Sequence, residues 1–298
     1  MNARALAGAL AAAALVAAPL LAQQDFSKVQ IEPEKVADGI YMLKGAGGNI
    51  GLSVGPDGAF LIDDQFAPLS EKILAAVQSL TPEPPRFLVN THWHGDHTGG
   101  NENMGKAGAI LVAHENVRRR MSAEHFNPVF QSTTPAAPGG ALPVVTFADA
   151  VTFHWNGQTI RVFHVDPAHT DGDSVIQFVE ADVFHTGDLF FNGMYPFIDV
   201  SSGGRIDGLI AAADRLLKIA TAKTRLVPGH GGLGTKADLQ AYRDLLRTVR
   251  DRVAALKAQG KTKDEVVAAK PSGDFDAAWG TGFMKPDVWL GLVYDSLP

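Results

Sequence analysis

The densest concentration of reactive side chains in this sequence is the string Thr91-His92-Trp93-His94-Gly95-Asp96-His97. Three imidazoles and one carboxylate fall in a single short turn, directly after the apolar run Phe87-Leu88-Val89. Imidazole and carboxylate are the donors that suit zinc and similar ions, and one short loop after a strand can aim alternate side chains at two points. A pair of histidines is readily explained by packing or by solvation, whereas four donors this close beside a glycine are not. The chain has no cysteine, so no thiolate serves as nucleophile or ligand.

The surrounding sequence supplies the elements that must hold this loop. Ile40 to Leu43, Asn49 to Val54 and Ala59 to Ile62 read as short strands, separated by the Gly-rich turns 45–48 and 55–58. Leu69 to Leu80 carries Ile73, Leu74, Val77 and Leu80 at helical spacing, and Ala109 to Ala113 is a strand followed by a helix through Arg120. Residues 124–143 hold four prolines and Gly139-Gly140 and read as a long loop, the kind of segment that often walls a site. Strands are expected at 151–154, 159–165, 174–179 and 183–185. A helix over 206–219, the strand Arg225-Leu226-Val227 and a helical tail follow. Two β-then-α halves with no linker between them imply one domain over 23–298, built as sheets packed together with helices outside.

The H-x-H-x-D-H pattern after a strand resembles the signature of the metallo-β-lactamase superfamily, as does Thr98-Gly99-Gly100-Asn101. The rest of that pattern occurs in order over about residues 35 to 235. Asp63 ends Phe60-Leu61-Ile62-Asp63, His169 lies in Pro167-Ala168-His169-Thr170-Asp171-Gly172-Asp173, Asp188 in His185-Thr186-Gly187-Asp188, and His230 in Val227-Pro228-Gly229-His230-Gly231. The resemblance implies an αββα sandwich, two mixed β-sheets flanked by helices. It also implies one metal on His92, His94 and His169, and a second on Asp96, His97 and His230, with Asp188 bridging or on the second. Three neutral imidazoles leave an open position for water. Two ions about 3.5–4 Å apart can hold a hydroxide and polarise a carbonyl. Asp96 would orient that hydroxide and hand a proton to the leaving group, and Asp63 would steady the histidine loop. Two zinc ions are expected, with iron or manganese tolerated by the carboxylate-rich second site.

Other features narrow the reaction. The 298 residues carry 46% hydrophobic and 19% charged side chains and a net charge of -6, which argues against a nucleic-acid partner. Residues 1–22 read as a signal peptide: Arg4, an apolar run from Ala5 to Leu21, then Leu20-Leu21-Ala22 before Gln23. That reading implies a periplasmic or secreted protein without a stable membrane anchor. Related di-iron reductases carry a carboxylate where His94 stands, and related nucleases add a large insertion and a basic surface, so a hydrolase of small carbonyl substrates is expected.

The exported context favours the β-lactam amide. Asp188, however, stands where the corresponding lactamase subclass has Cys, as in thioesterases and lactonases of the superfamily. The first lysine after Asp188 is Lys218, so a grip on the β-lactam carboxylate would fall to Arg205 or Asn192. Thioester or lactone hydrolysis, as in glyoxalase II, is the alternative. The tail after Leu239, with Tyr242, Arg243, Arg247 and Lys257, reads as a solvated amphipathic helix rather than a basic cofactor-binding domain. A non-catalytic zinc carrier would fill its coordination sphere and carry His-rich acidic tracts, which are lacking here.

Tyr195, shortly after Asp188, is a candidate oxyanion donor, although a packing role explains it equally well. Trp93, the Gly45–Asn49 hairpin and the Pro-rich loop are candidate substrate walls. His114, His125, His154, His164 and His185 fall outside the motifs and are left out of the site.

Overall fold

The computed structural model describes residues 25–298, and the signal peptide expected over 1–22 lies outside the described residues. The first sheet begins with four antiparallel strands, β1 (Glu32–Ala37), β2 (Ile40–Lys44), β3 (Ile50–Ser53) and β4 (Ala59–Ile62). Helix α1 (Ser70–Gln78) returns the chain to β5 (Pro85–Val89), parallel to β4. Helices α2 (Gly95–Thr98) and α3 (Asn101–Lys106) lead to β6 (Ile110–His114), and α4 (Glu115–Met121) follows it. A separate hairpin, β7 (His125–Asn127) and β8 (Ser132–Thr134), precedes β9 (Val145–Phe147), which closes the seven-stranded order β1-β2-β3-β4-β5-β6-β9.

The second sheet has six strands in chain order: β10 (Ala150–Trp155), β11 (Gln158–His164), β12 (Ser174–Phe178), β13 (Val183–Phe191), β14 (Arg225–His230) and β15 (Gly234–Thr235). Helix α5 (Ile206–Ile219) makes the crossover between the parallel strands β13 and β14. The tail forms α6 (Lys236–Ala258), α7 (Lys263–Ala268), α8 (Asp276–Trp279) and α9 (Pro286–Ser296).

Strand alternation builds the layers. In β4, Phe60 and Ile62 face the second sheet, where they pack with Ile160, Val162, Ile176 and Phe178, while Leu61 turns outward to Leu69, Ile73 and Val77 around α1. On the opposite face Phe184 and Phe190 meet Leu209 and Leu216 of α5 and Leu245 and Val249 of α6. The result is helix, sheet, sheet, helix, the expected αββα sandwich.

Three departures from the sequence reading have local causes. The Pro-rich 124–143 segment is not structureless: β7 and β8 pair in register from His125↔Thr134 to Asn127↔Ser132. Strand β13 runs on to Phe191, because residues buried on both faces show no alternation to mark an end. Helix α6, capped by Thr235 and Asp238, is half core: Tyr242 is fully buried, and Arg243 and Arg247 pair with Asp214 on α5. No helix among the described residues is long and apolar enough to cross a membrane.

Candidate metal centre

The seven expected ligands meet at one edge of the sandwich, delivered by strands and by the loops that join them. His92, His94, Asp96 and His97 lie on the β5–α2 loop and the first turn of α2, His169 between β11 and β12, Asp188 within β13, and His230 at the end of β14. They fall into two groups of convergent donor atoms: His92, His94, His169 and Asp188, and Asp96, His97 and His230. In the first, His94 Nδ1 lies 3.1 Å from His92 Nε2 and 2.9 Å from His169 Nε2, and Asp188 Oδ2 stands 3.4 Å from His169 Nε2 and 3.8 Å from His92 Nε2. In the second, Asp96 Oδ2 is 3.3 Å from His230 Nε2 and 3.6 Å from His97 Nε2. Asp188 Oδ1 is 3.1 Å from His97 Nε2 and 3.5 Å from His230 Nε2. Asp188 thus gives one oxygen to each group.

These residues fit metal ions on two counts. Bonds of about 2.0–2.2 Å at tetrahedral angles set donor atoms about 3.3–3.6 Å apart, close to the separations found here. Moreover, His97 Nε2 and Asp188 Oδ1 are buried without a hydrogen-bond partner despite their proximity, an arrangement that is costly unless a third atom sits between them.

The rear nitrogens of four of the five ligand rings, those of His92, His94, His97 and His169, are engaged. His97 Nδ1 meets Asp63 Oδ2 at 2.7 Å, and Asp63 also accepts from the Thr91 N–H and hydroxyl, each at 2.8 Å. His92 Nδ1 lies 3.0 Å from Thr91 Oγ1, and His169 Nδ1 donates to the Phe197 carbonyl at 2.8 Å. His94 Nε2 lies 2.9 Å from Asp199 Oδ2, and Ser201 and Ser202 donate to the same carboxylate. These contacts fix which nitrogen of each ring faces the cluster. Asp173 accepts from the His169 and Thr170 backbone N–H groups and the Thr170 hydroxyl, shaping the His169 loop. Burial raises the Asp173 carboxyl to about 7.

Charge is arranged for a cation. Burial lowers His92 well below the ordinary imidazole range and His169 to about 4, leaving both as neutral donors. Burial acts in the same direction on His97 and His230, but the Asp188 and Asp96 carboxylates outweigh it. His97 is raised well above its usual value and His230 to about 9. Conversely, Asp96, half-buried, is held down to about 2 by His97 and His230 against the pull of desolvation, and the four surrounding imidazoles hold Asp188 well below its usual value. Protons on His97 and His230 thereby stand where metal charge would stand.

Two glycines make the convergence possible. A Cβ on Gly48 would fall on the His97 ring, and one on Gly229 on Asp188 Oδ1. Asn49 ties these segments together by donating to the Pro228 and Gly231 carbonyls, each at 2.9 Å. His185, left out of the site, is buried with Nε2 3.0 Å from the Asn49 carbonyl.

A cavity of about 620 Å³ opens over Asp96, Asp188 and His230. Phe66, Trp93, Phe130, Phe197 and Phe283 wall it, and among the described residues neither Lys nor Arg lines it. Arg205 lines a different cavity, beside Ser296 and Pro298, and Asn192 Nδ2 is spent on the Gly232 carbonyl at 2.9 Å. Neither is among the residues that line the cleft.

Tyr195 requires a correction as well. Its ring is fully buried and stacks on Trp289 at 4.0 Å, and its hydroxyl donates to Asp276 Oδ1 at 2.7 Å. It faces the C-terminal helices and does not serve as the oxyanion donor. Sequence reasoning missed Asp199, Phe130, Phe197 and Phe283. None lies in a motif, and only the tertiary path of their segments brings them to the cleft.

The family model of the metallo-beta-lactamase superfamily matches residues 44–231, and the chain belongs to that superfamily. The His/Asp cluster fits a metal site. A hydroxyacylglutathione hydrolase from Rhodospirillum rubrum is 29% identical over 199 residues, 65% of this chain and 68% of that one. An atrochrysone carboxyl ACP thioesterase from Aspergillus terreus is 24% identical over 217 residues, 67% of this chain and 59% of that one. The match thus spans under two thirds of the thioesterase's own length. Among solved structures, a metallo-beta-lactamase from Pontibacter korlensis superposes with a TM-score of 0.61 at 22% identity, over 73% of this chain and 99% of that one. The sec-alkylsulfatase Pisa1 from Pseudomonas sp. gives 0.68 at 18% identity, over 89% and 50%. At such identity the likeness is one of fold.

Proposed function

We propose that this protein is an exported, dinuclear zinc-dependent hydrolase of small neutral acyl compounds, thioesters or lactones, with the β-lactam amide as the second substrate class. One observation carries the reading: a carboxylate, Asp188, stands between two convergent donor groups at the floor of a cleft that no Lys or Arg lines. A β-lactam presents a carboxylate that a cation usually grips, and Arg205 and Asn192, the donors the sequence offered, are not among the residues lining this cleft. An uncharged thioester or lactone makes no such demand. The names of the thioester-cleaving relatives support the same order.

His92, His94 and His169 would hold one ion, and Asp96, His97 and His230 the other, with Asp188 shared. Bound there, zinc supplies Lewis acidity toward the carbonyl and lowers the pKa of water to about 7. The remaining work belongs to side chains. Asp96 is ionised at neutral pH and reaches the cleft, so it can take the proton from attacking water and pass it to the leaving group. Asp63 and Asp199 keep the His97 and His94 rings aimed.

The test compares a thioester, a lactone, a chromogenic cephalosporin and a carbapenem on the zinc-loaded protein, with and without chelator. Chelator-sensitive cleavage of thioester or lactone, at least tenfold above the β-lactams in kcat/KM, is expected. Turnover of the β-lactams alone would reverse the order, and chelator-insensitive turnover would remove the metal from the reaction.

A further inference from the structure

We propose that the cleft selects its substrates by an uncharged apolar group, an alkyl or aryl substituent clamped between Phe130 on the β7–β8 hairpin and Phe283 ahead of α9. This rests on the hydrolase reading only in assigning that group to the substrate.

Singly exposed apolar side chains are ordinary, whereas exposed apolar side chains gathered in one place, such as the rim of a cavity, mark contact sites. Phe130 is 52% exposed and Phe283 54%, and both line the cavity over the donor cluster. Each reaches a different donor group through its ring neighbours. The Phe130 ring lies 5.1 Å from Phe197, which lies 5.7 Å from His94 of the first donor group. Phe283 lies 6.1 Å from His230 of the second group and 6.2 Å from Phe191, which stacks on His230 at 5.1 Å. A carbonyl placed between the groups therefore has an aromatic wall on either hand.

The Phe130 wall is held in place. Asn127 Oδ1 accepts from the backbone N–H of Val129 at 2.9 Å and of Phe130 at 3.3 Å, and Gln131 takes a left-handed conformation with φ 48° that turns the chain into β8. Trp93 forms part of the same lining.

Electrostatics points the same way. Outside the donor cluster, the described residues of the lining offer an anionic substituent no Lys or Arg. Asn127, Ser132 and Thr134 supply hydrogen bonds at the cavity wall but no charge. Apolar area is what the cleft offers, and each methylene withdrawn from water contributes about 0.8 kcal/mol, or about fourfold in affinity.

The experiment titrates the zinc-loaded protein by calorimetry with methyl ketones of increasing alkyl length, which carry a carbonyl but no leaving group. Kd is expected to fall about fourfold per added methylene until the chain outgrows the cleft. Phe130→Ala and Phe283→Ala should each weaken the longest ketone at least tenfold and flatten the series, with metal content unchanged. A Kd independent of chain length, or a slope undiminished in the double variant, would overturn the proposal. Because ketones are not hydrolysed, this result is separate from turnover. Cleavage of short acyl substrates with a flat ketone series leaves the hydrolase and removes the clamp. A steep series without cleavage of any carbonyl substrate leaves the clamp and removes the hydrolase.

Discussion

His97 shows how the centre works at the scale of one residue. Its Nδ1 is held by Asp63 at 2.7 Å, so Nε2, buried and unpartnered, is left for an ion. His230 has the same carboxylate neighbours and is raised from 6.5 to about 9 by Asp188 and Asp96. Because its folded value lies above the unfolded one, the stability it contributes is fully present below pH 6.5 and is lost as pH rises through about 9. In chelator, Tm is therefore expected to fall across that window. With zinc bound, the imidazole is neutral throughout and the fall should shrink. A metal-free Tm that rises over the same window contradicts this account. Tyr195 makes the opposite case, a polar residue near the site in sequence that serves the core. Tyr195→Phe should keep kcat/KM within about twofold while costing about 0.5–1.5 kcal/mol of stability, since Asp276 loses one donor and keeps Ser272. A loss of activity with full stability would return it to the site.

Elements matter here through their ends. Strands β5, β13 and β14 each deliver ligands, and the β2–β3 turn and β14 itself approach them so closely that two positions tolerate only hydrogen. Gly48 packs on the His97 ring and Gly229 on Asp188 Oδ1. Gly48→Ala is expected to displace His97 and weaken the second metal at least tenfold, read by chelator competition, while the first metal stays bound. Overpacking of this kind costs about 1–3 kcal/mol, so the chain should still fold. Equal loss of both metals would show that the two donor groups are not independently positioned. The β7–β8 hairpin acts at the same scale, since two short paired strands suffice to carry an aromatic wall to a centre built on other strands.

In the whole molecule the two sheets clamp the ligand loops while the C-terminal helices cover the second sheet. Trp289 of α9 is fully buried and stacks on Tyr195, joining that cover to the segment that ends in Phe197 and Asp199. Trp289→Ala should cost about 3–5 kcal/mol and, by loosening the Phe197–Asp199 segment, lower affinity for the first metal more than for the second. Calorimetric titration of zinc into the variant checks this, and unchanged affinities with lowered Tm would confine α9 to the core.

The sequence by itself was enough to name the donors and the superfamily, because ligand chemistry demands His and Asp at short fixed spacings after strands, and such spacing survives in one dimension. It also located most strands, where alternation or apolar runs record burial on one face or two. It could not show that Asp188 divides its oxygens between the two groups, that Asp199 backs His94 from 105 residues away, or that Tyr195 turns to Asp276. Nor could it show that Phe130 and Phe283 line one cleft, to which the described residues bring neither Lys nor Arg. Those facts depend on distances between segments remote in the chain, and no local pattern encodes them. Tertiary packing alone decides which side chains share a cavity.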